Sequence, residues 1–497
     1  MAVLIFALAN LIQAQTTIQL FLAWELMTIS SWLLIMRGRK SQEPSLLYIV
    51  FSLGSAFIIL AAMGLYYDMT GSVELLPLFT SELSLWIPIL LSVGFLIKIG
   101  TIGAHIWLPG SYAEAEDDFT AIISPVVSKA GIFGLFLTII LFGKQHLAGI
   151  SWNLILGWLG GITALAGAFM AVFQEDIKRL LAYSSMGQLG YIVLAVAINS
   201  YLGWVTALYL AVNHLFFKGM ILMTIAGVIY RTGTRKMYQM GGLIKKMPFS
   251  FISVLIGIIA LSGVPPLSGF GGKWMLYTAL IEKGWYFQAG LSFFASAVAF
   301  LYCFRLIHSI FLGQLKTRHQ NLKESPIWYH IPSYIFIAGV MAISTFPNLI
   351  LKPLIKTVSS YFPASLGIEG YTVISSLGYW NGNAVMLITM GIFMVLLIFM
   401  LMRIRSVTRV GQFNIVYAAE RPDKPGTTHV AYNFFAPYQK ALGFMGKSRV
   451  VNFWDIVSQW SHSLAAAFNT IYTGNAQTYA LHIFMFIVIL YLIIGVH

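Results

Sequence analysis

The run GWVTALYLAVNHLFFKGMILMTIAGVIY, residues 203–230, decides how the chain is read. It stays apolar for well over the ~20 residues a helix needs to cross a hydrocarbon core about 30 Å thick. Yet it holds His214 and Lys218, four residues apart and therefore on one helix face. A lipid-facing helix pays heavily for such groups, whereas a membrane helix that turns them to a protein interior does not.

The rest of the chain extends that reading. Of 497 residues, 30 are Lys or Arg and 17 are Asp or Glu, so 9% are charged, while 58% are hydrophobic and 15% aromatic. Mean hydropathy is +0.81. Soluble domains carry about 25% charged residues, and a soluble fold of this size could not cover its core with so few. Disordered, coiled-coil and nucleic-acid-binding classes are excluded with it. An all-α polytopic membrane protein remains, since a bilayer leaves no partner for an open sheet edge.

At spanning length about 13 transmembrane helices can be read. They lie near 2–16, 17–36, 45–67, 85–108, 120–142, 151–173, 179–199, 203–230, 248–283, 286–312, 330–350, 384–403 and 479–496. The ninth is too long for one straight helix and is broken at Gly263-Val264-Pro265-Pro266. No cleavable signal is expected, because the apolar start runs straight into further apolar segments. The single cysteine, Cys303, excludes a disulfide framework and an iron–sulfur cluster held by four cysteines of this chain.

The net charge of +13 is distributed in loops. Arg37, Arg39 and Lys40; Lys178 and Arg179; Arg231, Arg235, Lys236, Lys245 and Lys246; Lys316, Arg318 and Lys323; and Arg403, Arg405 and Arg409 all follow even-numbered spans. The positive-inside rule puts them in the cytoplasm, with the acidic loop of Asp68, Glu74 and Glu82 outside. The expected N-terminus is then cytoplasmic, the C-terminus outside, and the location a prokaryotic plasma membrane. Between spans twelve and thirteen, residues 404–478 are too polar to cross; Val451, Trp454, Ile456, Val457 and Trp460 recur at helical intervals. They predict an amphipathic helix lying on the membrane surface or a neighbouring subunit.

Several spans carry an ionisable residue: Glu25, Lys98, Lys129, His214 with Lys218, and Lys273. One such residue has a bland explanation: Lys129 snorkelling to an interface, or His214 as a packed contact. Five together cost on the order of 15 kcal/mol on insertion scales. They persist where they face each other or water, and a Glu–Lys–Lys/His–Lys series of this kind can hold a mobile proton. Two breaks accompany them, one after His105-Ile-Trp-Leu-Pro109-Gly110 and before Phe119, the other from Gly263 to Gly272. Backbone freed at membrane depth is tolerated only beside a polar cavity, and paired broken helices mark inverted-repeat transporters.

At these residues the chain resembles the antiporter-like subunits shared by respiratory complex I, multi-subunit Na+/H+ antiporters and energy-converting membrane-bound [NiFe] hydrogenases. The matching pieces are Phe21-Leu-Ala-Trp-Glu25-Leu-Met, His105-Ile-Trp-Leu-Pro109, Ser128-Lys129-Ala-Gly131, Asp176-Ile-Lys178-Arg-Leu-Leu-Ala-Tyr183-Ser184, His214-Leu-Phe-Phe-Lys218 and Pro265-Pro-Leu-Ser-Gly269-Phe. The resemblance implies two inverted five-helix repeats, here 1–142 and 151–312, with one broken helix each. Further transmembrane helices would follow over 313–403, then the linker and lateral helix at 404–478 and a terminal span at 479–497. It implies that Glu25 is the first-repeat glutamate, Lys98 its partner, Lys129 the connecting lysine, His214 and Lys218 the central relay, and Lys273 the outlet. The family carries further helices ahead of the glutamate helix, which here are expected to be encoded upstream, absent or supplied separately.

The acidic Ala113-Glu-Ala-Glu-Asp-Asp118 stands where many relatives read Glu-Ala-Pro-Thr-Pro. With Val416-Tyr-Ala-Ala-Glu-Arg-Pro and Tyr432-Asn-Phe-Phe-Ala-Pro-Tyr, it looks most like the hydrogenase-type branch. His105, Asp117 and Asp118 become candidates for proton uptake, the two aspartates having a solvated acidic loop as their bland reading. The expectation is a proton- or sodium-translocating membrane subunit of a complex I-like oxidoreductase. It would bind no cofactor itself; iron–sulfur clusters and a Ni–Fe centre would sit in peripheral redox partners, beside other membrane subunits. The rivals are a secondary Na+/H+ antiporter subunit without redox coupling, and a haem-bearing subunit using His214 and His308.

Overall fold

The computed structural model describes residues 1–75, 84–142, 149–313, 315–403 and 449–471, with short pieces between them. The first compact unit, Met1–Gln439, is built almost entirely of helices. It opens with α1 (Ala2–Gln13), α2 (Thr17–Met36) and α3 (Gln42–Thr70). The fourth expected span is interrupted: α4 (Trp86–Ile99) stops at Gly100 and α5 (Trp107–Glu114) begins seven residues later. After α6 (Asp117–Ile122) and a π turn at Ile123–Val127, α7 runs over Ser128–Phe142. Then come α8 (Trp152–Val172), α9 (Ile177–Ala197) and α10 (Tyr201–Thr232). The ninth span divides into α11 (Pro248–Ser262) and α12 (Ser268–Glu282), followed by α13 (Tyr286–Ile310), α14 (Ile327–Thr345), α15 (Asn348–Val358) and α16 (Gly382–Arg403). Among the described residues eight helices are long and apolar enough to cross a membrane, and four apolar helices are shorter.

The first break falls earlier than the sequence predicts. Pro109-Gly110 is the louder signal, but Pro109 sits in the first turn of α5, where its missing N–H has no intrahelical partner to lose. The helix instead ends at Gly100, whose left-handed φ of 76° lets its N–H cap the carbonyls of Leu96 and Ile97. A second interruption, at Ala115–Glu116, does fall between Gly110 and Phe119. Pro125 is absorbed by the π turn directly ahead of Lys129. At the other break Gly263 (φ 73°) ends α11 as expected, but α12 restarts at Ser268 rather than after Gly272.

Helix α9 is the centre of this unit: all of its residues except Arg179 and Tyr183 are buried. It is pressed against α8 through small residues, Gly160 and Gly167 on one side and Gly187 and Gly190 on the other. Such residues let helix backbones approach closely where lipid offers no hydrophobic drive for association. At one end of the unit, strands β3 (Gly367–Glu369), β4 (Thr372–Ser375) and β5 (Gly378–Asn381) form an antiparallel sheet after the short hairpin of β1 (His146–Leu147) and β2 (Ile150–Ser151). Trp380 of this sheet is buried over Gly271 of α12, with its ring 6.4 Å from Tyr209 and 6.5 Å from Trp274.

Helix α17 (Arg449–Ile471) belongs to the second unit, Lys440–His497, and carries the predicted Val451, Trp454, Ile456, Val457 and Trp460. The thirteenth expected span, 479–496, lies largely outside the described residues, as do Glu82, Arg405, Arg409 and the 416–422 and 432–435 motif segments.

The close α8–α9 seam generates a prediction. A Cβ on Gly167 would meet the Gly187 backbone nitrogen at 2.5 Å and its Cα at 2.8 Å, whereas one on Gly161 would meet only Leu291 side-chain atoms at 3.7 Å or more. Gly167→Val should therefore destabilise the protein by about 1–3 kcal/mol, read as a lowered Tm in detergent. Gly161→Val should leave Tm close to wild type.

Candidate functional site

Lys98 lies in the last turn of α4, just before the break, and is 1% exposed. No carboxylate among the described residues holds it. Its Nζ donates to the Tyr48 hydroxyl at 2.7 Å, Ser52 Oγ at 3.2 Å and Thr28 Oγ1 at 3.3 Å, and lies 4.5 Å from the centre of the Tyr48 ring. The Tyr48 hydroxyl in turn pairs with Ser31. Glu25, on α2, is half-buried and feels the Lys98 charge, but no ion pair joins the two among the described residues, and Glu25 Oε1 is buried without a hydrogen bond. The resemblance led to a Glu25–Lys98 pair; the structure gives Lys98 a cage of hydroxyls.

Lys129, His214 and Lys218 are brought together. Lys129 Nζ is hydrogen-bonded with His214 Nδ1, and His214 and Lys218 occupy one face of α10, both fully buried. Lys218 Nζ donates to Leu181 O at 2.8 Å and to Ser184 Oγ, both on α9. Lys273, buried in the second turn of α12, donates to Ser262 O at 2.6 Å and lies 5.3 Å from the Tyr191 ring centre. That carbonyl belongs to the last turn of α11, where the break leaves it without a helical partner. Bare Gly263 leaves room for the Lys273 side chain. His105 sits inside the first break, buried, its ring 6.4 Å from Tyr183 and its Nδ1 without a hydrogen-bond partner among the described residues. No hydrogen bond connects it to the lysines among the described residues. His308, the other ring in the haem alternative, stacks on Phe304, while His214 is engaged by Lys129.

The two candidate uptake aspartates are each paired. Asp117 meets Lys178 at 2.9 Å and Asp118 meets Arg37 at 3.2 Å. Lys178, read from sequence as an ordinary loop charge, is 5% exposed and also donates to Ala115 O at 2.7 Å. Arg235 grips both oxygens of Glu114 (2.8 and 3.1 Å), reaches Asp176 at 3.1 Å, and donates to Ala113 O at 2.6 Å. Burial opposes the Arg235 charge, but its hydrogen bond to Glu114 and the charges of Asp176, Glu114 and Asp117 outweigh this and raise its pKa. Asp176 caps α9 by accepting from the Lys178 and Arg179 backbone. These contacts, with Gly242 N–H to Leu312 O, Lys316 to Tyr238 O and Arg231 to Glu324 O, gather four of the five basic loop clusters at one end of the unit.

Sequence reasoning missed the neutral partners: Tyr48 and Ser52 around Lys98, and Ser184 on Lys218. Their signal is polar residues at helical spacing in apolar runs, as in Ser45, Tyr48, Ser52 and Ser55.

Residues 14–299 match the NADH:quinone oxidoreductase/Mrp antiporter transmembrane family. One of the Na+/H+ antiporter subunits of Alkalihalophilus pseudofirmus is 30% identical over 428 residues, 78% of this chain; the chain spans about half (52%) of that relative's length. Among solved structures, a chain of the membrane-bound sulfane sulfur reductase, an archaeal respiratory membrane complex, superposes with a TM-score of 0.85 at 28% identity, covering 98% of this chain and 82% of that one. The Mrp complex from Dietzia sp. DQ12-45-1b shares the fold, with a TM-score of 0.68 at 20% identity over 73% of this chain and 77% of that one.

The clamp around Arg235 is testable by itself. Arg235→Ala removes the one cation paired with Glu114 and Asp176 among the described residues. It should speed hydrogen–deuterium exchange in peptides covering 110–118 and 174–180, while peptides from the middle of α9 keep their protection.

Proposed function

Since this chain belongs to the NADH:quinone oxidoreductase/Mrp antiporter transmembrane family, we propose that it translocates protons or sodium ions as a membrane subunit of a multi-subunit, redox-driven respiratory complex. The observation that carries this reading is the series Lys98, Lys129–His214–Lys218 and Lys273, three of whose lysines are held inside the helices by hydroxyl and carbonyl oxygens rather than carboxylates. A lysine so held has partners whether or not it carries its extra proton, so protonation can move along the series. Glu25 and Lys98 form one end of the relay, Lys129, His214 and Lys218 its middle, and Lys273 its outlet. Proton uptake is assigned to the end of the unit where His105, Asp117 and Asp118 lie.

Redox coupling is favoured by the likeness to a respiratory-complex chain, which extends over 98% of this chain. On this reading the electron carriers, iron–sulfur clusters and a Ni–Fe centre of the hydrogenase type, lie in peripheral partners that act through neighbouring membrane subunits. The end gathering the basic loops is cytoplasmic by the positive-inside rule, which sets the N-terminus inside and the C-terminus outside a prokaryotic plasma membrane. Residues 1–142 and 151–312 form the two inverted repeats, and α17 lies along the membrane surface or a neighbouring subunit. The identity with an Na+/H+ antiporter subunit favours a second reading, exchange without electron transfer.

Membrane vesicles containing the complex with its native partners separate the readings. Pumping that needs reductant, with nickel and iron in the purified complex, supports the first; exchange driven by an imposed pH gradient alone supports the second. In either assay Lys129→Ala should abolish ion translocation while the complex still assembles, and normal flux in that variant would remove the relay. Glu25→Gln should likewise uncouple transport; unaltered coupling would reduce Glu25 to a structural contact.

A further inference from the structure

Lys218 and Lys273 are the inner and outer cations of the second half, and the structure gives them different hydrogen-bond partners. Between them stand two polar side chains that the relay described above does not use. Tyr302, on α13, is 2% exposed, and the side chains of Ser184 and Gln188 both act on its hydroxyl. Ser184 is the hydroxyl that accepts from Lys218. Gln188, one turn further along α9 and also buried, donates from Nε2 to Leu261 O at 3.3 Å, the carbonyl next to the Ser262 O that holds Lys273. The charges of both ammoniums act on Cys303, the residue next to Tyr302 on α13.

We propose that the Tyr302 hydroxyl carries the proton between Lys218 and Lys273, with Gln188 positioning it; the proposal rests on the ion-translocation reading above. A phenol can accept a proton at its oxygen while giving one up from the same oxygen, so it can pass charge without becoming an ion. A carboxamide has its donor and acceptor on different atoms and serves to orient. In the forward step the Lys218 ammonium gives a proton to Ser184 Oγ. Ser184, turning from the Leu181 carbonyl to which it now donates, passes its own proton to Tyr302. Tyr302 releases its proton to a bridging water, and that water protonates the neutral amine of Lys273. Lys218 ends neutral, Lys273 ends cationic, and the hydroxyls return by reorienting. The other nearby phenol, Tyr191, sends its hydroxyl away from this line, to Ser292 O at 3.2 Å and Ser296 Oγ at 3.0 Å.

The test uses the complex with its native partners in membrane vesicles. Proton flux is driven by a valinomycin-set potassium diffusion potential and read with a trapped pH dye. Tyr302→Phe should lower flux by about a hundredfold, the scale on which a positioned proton-transfer group acts, with assembly of the complex unchanged. Gln188→Leu should lower it less, and Lys273→Ala should abolish it. Incorporating 3,5-difluorotyrosine at 302, which keeps the ring and hydroxyl but makes the phenol more acidic, should move the pH profile of flux to lower pH, while the same replacement at Tyr209 should not. Wild-type flux in Tyr302→Phe alongside a dead Lys273→Ala would overturn the Tyr302 link and leave the relay standing. An unmoved pH profile with difluorotyrosine would overturn it even where the Phe variant fails to assemble. Wild-type flux in both Lys218→Ala and Lys273→Ala would defeat the ion-translocation reading itself.

Discussion

An ammonium removed from water needs oxygen around it, and this constraint organises the interior of the protein. The idealised cost of moving such a charge into an apolar medium is of order 20 kcal/mol, far beyond what packing could offset. The usual remedy is a carboxylate, which would fix the charge in place. Here Lys98, Lys218 and Lys273 rely on hydroxyls and backbone carbonyls instead. The two interrupted helices follow from this need. Lys98 lies at the C-terminal end of α4, where the negative end of the helix dipole favours a cation, and Lys273 reaches the C-terminal end of α11, where the Ser262 carbonyl accepts from it. An unbroken α11 would have spent that carbonyl on its own ladder.

The carboxylates are placed differently. Glu114, Asp117, Asp118 and Asp176 sit at one end of the bundle, each against an arginine or lysine. They tie the α5–α6 turn to the start of α9 and to the segment after α10, and so hold the first broken helix against the central one. The molecule thus keeps its fixed ion pairs at the rim and its neutral-partnered cations within.

How far this could be read in advance depended on the kind of signal. His214 and Lys218 stand out because nothing else in residues 203–230 is charged, and their shared face follows from helical spacing alone. Gly263 was legible for a similar reason: a glycine before two prolines has few other uses inside an apolar run. The interruption between Gly110 and Phe119 is present at Ala115–Glu116, but the earlier end of α4 was missed because Pro109 is conspicuous and Gly100 is one of 44 glycines, although only the latter needs a left-handed backbone. Tyr302, Gln188 and Ser184 were invisible, since hydroxyls and amides are ordinary in any helix and acquire meaning only through long-range packing. Lys178 shows the reverse error: its position after a span marked it as a solvated loop charge, and tertiary structure buried it.

The rim pairs are not equally shielded. Arg37 and Asp118 are about half exposed (51% and 56%), whereas Asp176 and Lys178 each keep only 6% of their side-chain surface. At physiological ionic strength charges are screened over about 8 Å in water and much less where water is excluded. Added salt therefore dissolves the outer fastening first and leaves the inner ones closed. The turn between α5 and α6 is hinged by ionic strength at one edge and bolted at the other.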